Sequence, residues 1–211
     1  MTQTGPDSFI HRYSPGQDEA RRPLLLLHGT GGNEEDLIDL GQTVSPGSAL
    51  LSPRGKVNEN GMPRFFRRLA EGVFDEEDVK FRANELADFV AESRLAYGLD
   101  TPIAFGFSNG ANIASALLLL RPEALAGAVL LRAMVPLQKM PSPDLSSKRI
   151  LMLSGAMDPI VPADNAARLA ALLGASGAEV EQKVLPAGHG LSQADVNLAR
   201  DWIGRLAPAS A

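Results

Sequence analysis

The 211-residue sequence contains no cysteine, and this absence excludes disulfides, thiolate metal sites and a cysteine nucleophile. The sequence also lacks a basic excess, because 20 Lys and Arg residues stand against 25 Asp and Glu residues, for a formal net charge of −5. Binding of nucleic acid through a basic face is therefore not expected, since phosphate contacts need clustered cations. A chain without cysteine fits a reducing compartment, and we expect a cytoplasmic protein.

Long apolar runs are also missing. The longest lies around residues 117–120 and ends at Arg121, which is far short of the ~18–20 residues that cross a bilayer. Residues 1–8 lack the basic and apolar regions of a signal peptide, so we expect no membrane insertion. With 45% apolar and 21% charged residues, the composition is that of a globular protein. The length suits a single domain, residues 1–211.

Apolar segments and amphipathic helical patterns alternate along the whole chain, which predicts an α/β protein with a mostly parallel sheet and helices on both faces. The predicted strands are residues 9–13 (an edge strand), 23–27, 49–52, 102–107, 127–131, 149–153 and 180–185. The predicted helices are residues 34–43, with Asn33 as N-cap, 78–97, 109–120, 164–173 and 192–206. Residues 53–77 and 133–148 are predicted as long irregular loops, which are commonly functional or mobile.

A Gly-x-Ser-x-Gly motif, residues 106–110, lies directly between a predicted strand and a predicted helix. A nucleophilic serine needs this sharp turn to project its hydroxyl above the sheet, and the two glycines remove side chains that would clash there. The helix N-terminus also places positive potential beside the oxyanion that forms on acyl attack. The pattern therefore predicts Ser108 as a nucleophile, with a phosphate-binding turn or a plain connecting loop as the alternatives.

Serine needs a base, and the chain has 3 histidines. His11 lies near the terminus and is expected to be a solvated surface residue. His28 follows the first core strand, too early for a base that should come last in the order Ser, acid, His. His189 lies in a Gly-rich loop after the last predicted strand, which favours His189 as the base.

The acid should follow an intervening strand, at the sheet edge where catalytic groups collect. Asp158 comes directly after the predicted strand 149–153 and precedes Pro159, so it is the predicted acid, although an aspartate there can simply stabilise a turn. Asp164 is the nearest competitor but is interpreted as the N-cap of the next helix. The predicted catalytic residues are thus Ser108, Asp158 and His189.

An oxyanion hole needs two backbone donors. One is expected to be the N–H of Asn109, directly after the nucleophile. The other is expected from the Gly-rich segment 28–32, and the N–H of Thr30 is the prediction. A phosphate-binding loop is the alternative for this segment, but no Lys-Ser/Thr pair follows it as in a P-loop. No metal or cofactor is expected, because ligand clusters and a dinucleotide fingerprint are both missing from the sequence.

Taken together, these motifs resemble the phospholipase/carboxylesterase branch of the α/β-hydrolases, which includes acyl-protein thioesterases. They are most similar to small bacterial carboxylesterases related to the hydroquinone-linked hydrolases. The matching segments are residues 24–32 (LLLLHGTGG), 35–37 (EDL), 52–55 (SPRG), 63–78 (PRFFRRLAEGVFDEED), 106–110 (GFSNG), 155–162 (GAMDPIVP) and 188–190 (GHG). The resemblance implies an α/β-hydrolase fold and assigns Ser108, Asp158 and His189 to the triad and Thr30 and Asn109 to the oxyanion hole. Many relatives have Gln at position 109.

The chain is short for this fold, so no cap domain is expected and the two long loops should shape the pocket. Phe65 or Phe66 stands where relatives commonly carry Trp, and Met134, Val135 and Leu137 belong to an apolar loop. These five residues are predicted to line the acyl pocket. For the apolar loop, which also includes Met140, a homodimer contact and ordinary core packing stay open as alternatives. The neighbouring arginines, at positions 64, 67 and 68, are interpreted as a solvated basic turn.

The predicted function is hydrolysis of small-molecule carboxylic esters with short-to-medium acyl chains, through an acyl-enzyme intermediate. The same residues would serve an acyl-protein thioesterase or a lysophospholipase, which is the alternative. A ligand-binding protein that has kept only the hydrolase fold is a further alternative, but such a protein should carry a damaged triad.

Overall fold

A computed structural model describes residues 8–139 and 141–206, and its backbone is built on eleven strands and five α-helices. The predictions for residues 1–7 and for Met140 lie outside the described residues. The strands are β1 (His11–Ser14), β2 (Leu24–Leu27), β3 (Leu50–Pro53), β4 (Val57–Glu59), β5 (Met62–Arg64), β6 (Arg68–Ala70), β7 (Val73–Phe74), β8 (Ile103–Phe107), β9 (Gly127–Leu131), β10 (Arg149–Gly155) and β11 (Glu179–Leu185). The helices are α1 (Ile38–Val44), α2 (Glu76–Tyr97), α3 (Asn109–Leu120), α4 (Ala163–Ala175) and α5 (Gln193–Gly204).

Seven strands form the central sheet in the order β1-β3-β2-β8-β9-β10-β11. All neighbours are parallel except the edge strand β1, which runs antiparallel to β3. The chain leaves β2 toward α1 and β3 on one side, whereas the adjacent β8 leads to α3 and β9 on the other. The loops after β2 and β8 therefore diverge at the carboxyl edge, and this reversal of strand order is where open α/β sheets bind ligands.

The inner strands β2, β8 and β9 are apolar throughout, because both faces of the sheet are covered there. In β2, Leu25 and Leu27 pack into the cluster formed with α2, α3 and α4. Leu24 and Leu26 point to the opposite side, where α1 and α5 pack. The predicted mostly parallel sheet with helices on both faces is thus confirmed, and so is the edge position of the first strand.

The segment between β3 and α2 differs from its prediction as an irregular loop. It forms two short antiparallel hairpins, β4-β5 and β6-β7. Their turns contain Gly61 and Gly72, both with positive φ, the conformation that glycine adopts without a steric penalty. Within the described residues, the carboxyl edge of the sheet is bordered by these hairpins and by loops rather than by a cap domain.

Helices α2 and α5 begin within two residues of their predicted starts, whereas the starts of α1 and α4 need a correction. Helix α1 begins at Ile38, not at residue 34, because Asn33 accepts the N–H of Glu35 in a local turn, a competitor of helix formation. Helix α4 begins after Pro162, so Asp164 lies in its first turn and is not its N-cap. The prediction for α3, residues 109–120, is confirmed. In the part of the chain that the structure describes, no helix is long and apolar enough to span a membrane.

Candidate active site

Ser108 occupies a sharp turn between the end of β8 and the start of α3. Its backbone has φ 53° and ψ −115°, a combination that is sterically costly for a residue with a Cβ atom and is found where the surrounding structure enforces it. The N–H of Ser108 donates to the carbonyl of Leu131 at 2.8 Å. The turn is therefore held to the neighbouring strand β9, and the serine is presented at the carboxyl edge.

The glycines that flank Ser108 are required by close backbone contacts. A Cβ atom on Gly110 would lie 1.9 Å from the carbonyl oxygen of Leu27. A Cβ atom on Gly106 would lie 2.7 Å from the carbonyl oxygen of Gly110. Side chains at these positions would prevent α3 from packing against β2 and β8, so the motif is a steric requirement of the turn.

His189 bridges the other two predicted catalytic residues. Its Nε2 lies 3.0 Å from Oγ of Ser108, and its Nδ1 lies 2.8 Å from Oδ2 of Asp158. Because an ionised carboxylate only accepts hydrogen bonds, the proton belongs on Nδ1 and the lone pair of Nε2 faces the serine hydroxyl. The structure thus brings His189 together with Asp158, which is 31 positions away in sequence, and with Ser108, which is 81 positions away.

Asp158 follows β10 and is fixed by the backbone of its own turn. Its Oδ1 accepts the N–H groups of Ile160 at 2.8 Å and Val161 at 3.0 Å, and its side chain is fully buried. Burial raises the pKa of Asp158, but these hydrogen bonds and the one from His189 outweigh burial, so the pKa lies below that of an ordinary aspartate. The carboxylate therefore stays ionised and holds its orientation toward the imidazole.

The two predicted oxyanion residues use their side chains to hold the β5 region in place. Oγ1 of Thr30 accepts a hydrogen bond from Nη1 of Arg64 at 2.6 Å, and Oδ1 of Asn109 accepts the N–H of Phe65 at 2.7 Å. The backbone N–H of Asn109 is at the first position of α3, where the helix supplies no acceptor. Thr30 borders the same pocket as Ser108 and His189.

The other two histidines are engaged elsewhere. His28 is buried, and its Nε2 accepts the N–H of Gly55 at 3.0 Å, which leaves Nδ1 to donate to the carbonyl of Gly29 at 2.6 Å. Burial is the main reason that the pKa of His28 lies below that of an ordinary histidine. His11 was expected to be solvated, but its Nε2 lies 2.7 Å from the hydroxyl of Tyr97. Both rings serve the packing of the fold.

A pocket of about 250 Å³ opens at Ser108 and His189. Its apolar wall consists of Phe74, Phe107, Met134, Ile160 and Val161. Charged side chains also line it, namely Arg64, Arg68, Glu71 and Arg132. The pocket is therefore mixed in character rather than purely apolar.

The structure places only one of the five predicted acyl-pocket residues, Met134, among the lining residues described. Phe65 and Phe66 point into the main core instead, where Phe66 packs edge-on against Phe74. Leu137 is also buried in that core, and Val135 packs against it. An apolar side chain suits a core or a ligand wall equally, so the sequence could not separate these two roles.

Two buried arginines at the pocket were not recognised in the sequence. Arg64 was expected in a solvated turn, but its side chain is 4% exposed and lies 3.2 Å from Glu59, which also binds Arg68. Arg132 is fully buried directly after β9. A charged residue at the carboxyl end of an apolar strand was the signal that could have drawn attention to Arg132. Among residues 8–139 and 141–206, no group of three or more metal-ligating side chains is assembled.

Comparison with known proteins places this geometry in a family. The model of the phospholipase/carboxylesterase family matches residues 11–206. The hydrolase MhqD of Bacillus subtilis is 43% identical over 194 residues, which cover 91% of this chain and 96% of MhqD. The crystal structure of a Bacillus cereus carboxylesterase is similar with a TM-score of 0.91 and 44% identity, covering 93% of this chain and 94% of that one.

A carboxylesterase from Mesorhizobium loti is also similar, with a TM-score of 0.89, 32% identity, and coverage of 94% of this chain and 95% of that one. Family model, relatives and fold agree over nearly the full length of the chain. The chain therefore belongs to the phospholipase/carboxylesterase family of α/β-hydrolases.

Proposed function

We propose that this hydrolase is a serine carboxylesterase in which Ser108 is the nucleophile, His189 the general base and Asp158 the acid that orients the base. The observation that carries the proposal is the single imidazole that bridges the serine hydroxyl at 3.0 Å and the buried carboxylate at 2.8 Å. A serine hydroxyl becomes a useful nucleophile only when a base can take its proton as it attacks. The contacts of His189 with both groups support its role as that base.

In the proposed reaction, Oγ of Ser108 attacks the ester carbonyl carbon while its proton moves to Nε2 of His189. The resulting imidazolium is stabilised by the ionised Asp158. The tetrahedral intermediate then collapses, the acyl–oxygen bond breaks, and His189 returns the proton to the leaving alcohol. Water repeats the sequence on the acyl-enzyme, which releases the acid and restores Ser108.

The N–H groups of Thr30 and Asn109 are the proposed oxyanion donors. Asn109 starts α3, so its N–H points along a helix dipole whose positive end faces the developing negative charge. Each such donor contributes about 2.7–4 kcal/mol of transition-state stabilisation. The side-chain contacts of Thr30 with Arg64 and of Asn109 with the N–H of Phe65 fix these two backbone segments.

The size of the pocket supports short-to-medium acyl esters. About 250 Å³ is available, which is below the ~300–1,000 Å³ of typical small-molecule pockets. Phe74, Met134 and Val161 offer an apolar wall for an acyl chain of limited length. Thioester and lysophospholipid hydrolysis would use the same groups and are separate arms of the test below. A single domain, a cytoplasmic location and a homodimer stay predictions.

The experiment is a comparison of wild type with Ser108→Ala on p-nitrophenyl esters of increasing chain length, matched thioesters and lysophospholipids. Ser108→Ala should abolish turnover and fluorophosphonate labelling while its thermal unfolding stays cooperative. Ser115→Ala is the matched control, because Ser115 lies on the same helix with its hydroxyl bonded to the carbonyl of Ala111, and it should retain activity. Turnover that persists in Ser108→Ala refutes the proposal, and rates that peak on long acyl chains or on thioesters refute the substrate class.

A further inference from the structure

Arg132 is a buried charged residue that the proposed reaction does not use. It directly follows β9, its side chain has no exposed surface, and it pairs with Asp195 at the start of α5. A buried ion pair commonly adds little net stability, because desolvation of the two charges offsets their attraction. Stability alone therefore gives no sufficient reason for placing an arginine here, beside the pocket of Ser108 and His189.

The guanidinium of Arg132 binds the loop that carries His189. Its Nε donates to the carbonyl of Gly188 at 3.0 Å, and its Nη2 donates to the carbonyl of Gly190 at 3.2 Å. These are the two residues on either side of His189. Both carbonyls are thus held by one rigid, planar group, in a loop whose two glycines would otherwise leave the backbone free to adopt many conformations.

Asp195 fixes the orientation of that planar group. Its two carboxylate oxygens accept Nη1 and Nη2 of Arg132 at 2.7 and 2.9 Å, the bidentate geometry that only arginine offers. Oδ2 of Asp195 also accepts the N–H and the hydroxyl of Ser192 at 2.8 and 2.7 Å. Because the same carboxylate caps α5, the orientation of the guanidinium is tied to a helix that packs on the sheet.

The backbone of Arg132 is strained in a way that points to function. Its φ is 58°, in the left-handed region that is unfavourable for a residue with a Cβ atom. Nη1 additionally donates to the carbonyl of Leu153 at 3.1 Å, and the N–H of Arg132 donates to the same carbonyl at 2.9 Å. Strain of this kind persists where the surroundings enforce it, and such positions cluster at active sites.

We infer that Arg132 is a positioning residue, which fixes the His189 ring between Ser108 and Asp158 by clamping the carbonyls of Gly188 and Gly190. The inference rests on the proposed function, since it matters only if His189 is the base. A lysine at position 132 would keep the charge beside Asp195, but the three N–H groups of its single nitrogen cannot replace the five hydrogen bonds that the guanidinium donates. Arg132→Lys therefore disrupts the hydrogen bonds to the carbonyls of Gly188 and Gly190 while it keeps a positive charge beside Asp195.

The test is steady-state kinetics of Arg132→Lys with active sites counted by fluorophosphonate titration. We expect kcat per titrated site to fall by about 10- to 100-fold, since a displacement of about 1 Å at a catalytic group can cost about 100-fold. KM should change less than about twofold, because the Arg132 side chain has no exposed surface through which it could contact the substrate. Arg149→Lys is the matched control, since Arg149 pairs with Glu179 on the surface of the adjacent strand, and its kcat should equal that of wild type.

Proton and nitrogen NMR of histidine-labelled protein gives a second readout, because the chain has 3 histidines. In wild type the His189 imidazole should show one tautomer, protonated on Nδ1, and in Arg132→Lys its signals should broaden as the ring exchanges between positions. If Arg132→Lys does not fold, Asp195→Asn is measured instead. In Asp195→Asn, an amide N–H replaces one of the two oxygens that accept from the guanidinium. The guanidinium is therefore expected to turn, and kcat should fall as it does in Arg132→Lys.

An unchanged kcat per titrated site in a folded Arg132→Lys or Asp195→Asn protein overturns the inference, and so does a loss confined to thermal stability. The control for the underlying function is Ser108→Ala. If Ser108→Ala retains turnover, the proposed function fails. If Ser108→Ala is inactive while Arg132→Lys matches wild type, only the inference about Arg132 fails.

Discussion

The turn that carries Ser108 and the loop that carries His189 meet at the same edge of the sheet, but different interactions hold them. The serine turn is fixed by backbone contacts at van der Waals distance, through Gly106 and Gly110. The histidine loop has open space around Gly190, and side chains hold it, namely Arg132 after β9 and Asp195 in the following helix α5.

The two regions therefore show two ways of fixing the position of a side chain in a site: close backbone packing and hydrogen bonds from other side chains. Close-packed backbone holds the Ser108 turn in one conformation, through contacts of Gly110 with Leu27 on β2 and of Ser108 with Leu131 on β9. His189 has partners on two other segments, Asp158 for the ring and Arg132 for the loop. Disturbing the first region should therefore damage folding, whereas disturbing the second should damage catalysis in a protein that still folds.

The largest effect is expected from Asp158→Asn, which removes the charge in the histidine region. Amide replacement of the triad acid lowers kcat by about 10⁴-fold in serine proteases, since it favours the wrong imidazole tautomer. We expect a similar loss here, measured as kcat on a short-chain p-nitrophenyl ester. A loss below tenfold would contradict the assigned role of Asp158. The amide oxygen can still accept the N–H groups of Ile160 and Val161, so folding should survive.

The pH dependence of stability provides the control for Asp158→Asn. The pKa of Asp158 is lower in the folded protein than in an ordinary aspartate, so its ionised form stabilises the fold above the unfolded-state pKa. That contribution is lost as the pH falls through the folded-state pKa, and the asparagine variant lacks it. The advantage in Tm of wild type over the variant should therefore shrink as the pH is lowered from neutral toward 3. A constant or growing difference would contradict this sign.

The second effect is expected from Gly110→Ala in the serine turn. The added methyl group would lie 1.9 Å from the carbonyl oxygen of Leu27, and backbone on both sides would have to move. We expect a loss of more than about 4 kcal/mol in the free energy of unfolding, measured by urea denaturation. Gly174→Ala is the matched control, because nothing lies within 4 Å of the added atom and alanine is the better helix former. A fully stable Gly110→Ala protein would show that the turn is less tightly packed than described.

The smallest effect is expected from Thr30→Val, which sharpens the comparison within the oxyanion region. Valine removes the acceptor for Nη1 of Arg64 but leaves the proposed oxyanion donor, the Thr30 N–H, in the chain. Loss of one hydrogen bond to a partly buried charged group should cost about 1–3 kcal/mol of stability, measured by thermal and urea unfolding, while kcat stays within a few-fold. Thr43→Val, at an exposed site on α1, is the control. A loss of kcat near 10³-fold would assign catalysis to the Thr30 hydroxyl instead of the N–H.

The sequence by itself determined the α/β class, the seven strand segments of the central sheet and the serine turn. These features depend on local sterics and periodicity: four consecutive leucines in β2 require cover on both faces, and glycines around Ser108 allow the strand-to-helix turn. The candidates His189 and Asp158 also emerged, because both follow a strand and the carboxyl ends of parallel strands share one edge.

Only the tertiary structure decided which side chains hold or line the site. The burial of Phe65 and Phe66, the entry of Arg64 into the pocket wall and the clamp of Arg132 on the histidine loop follow no local rule. The ion pair between Arg132 and Asp195 joins residues 63 positions apart, and it forms only once strand order and the packing of α5 are set. Long-range polar contacts depend on distances of a few tenths of an ångström, which residue type and spacing cannot specify.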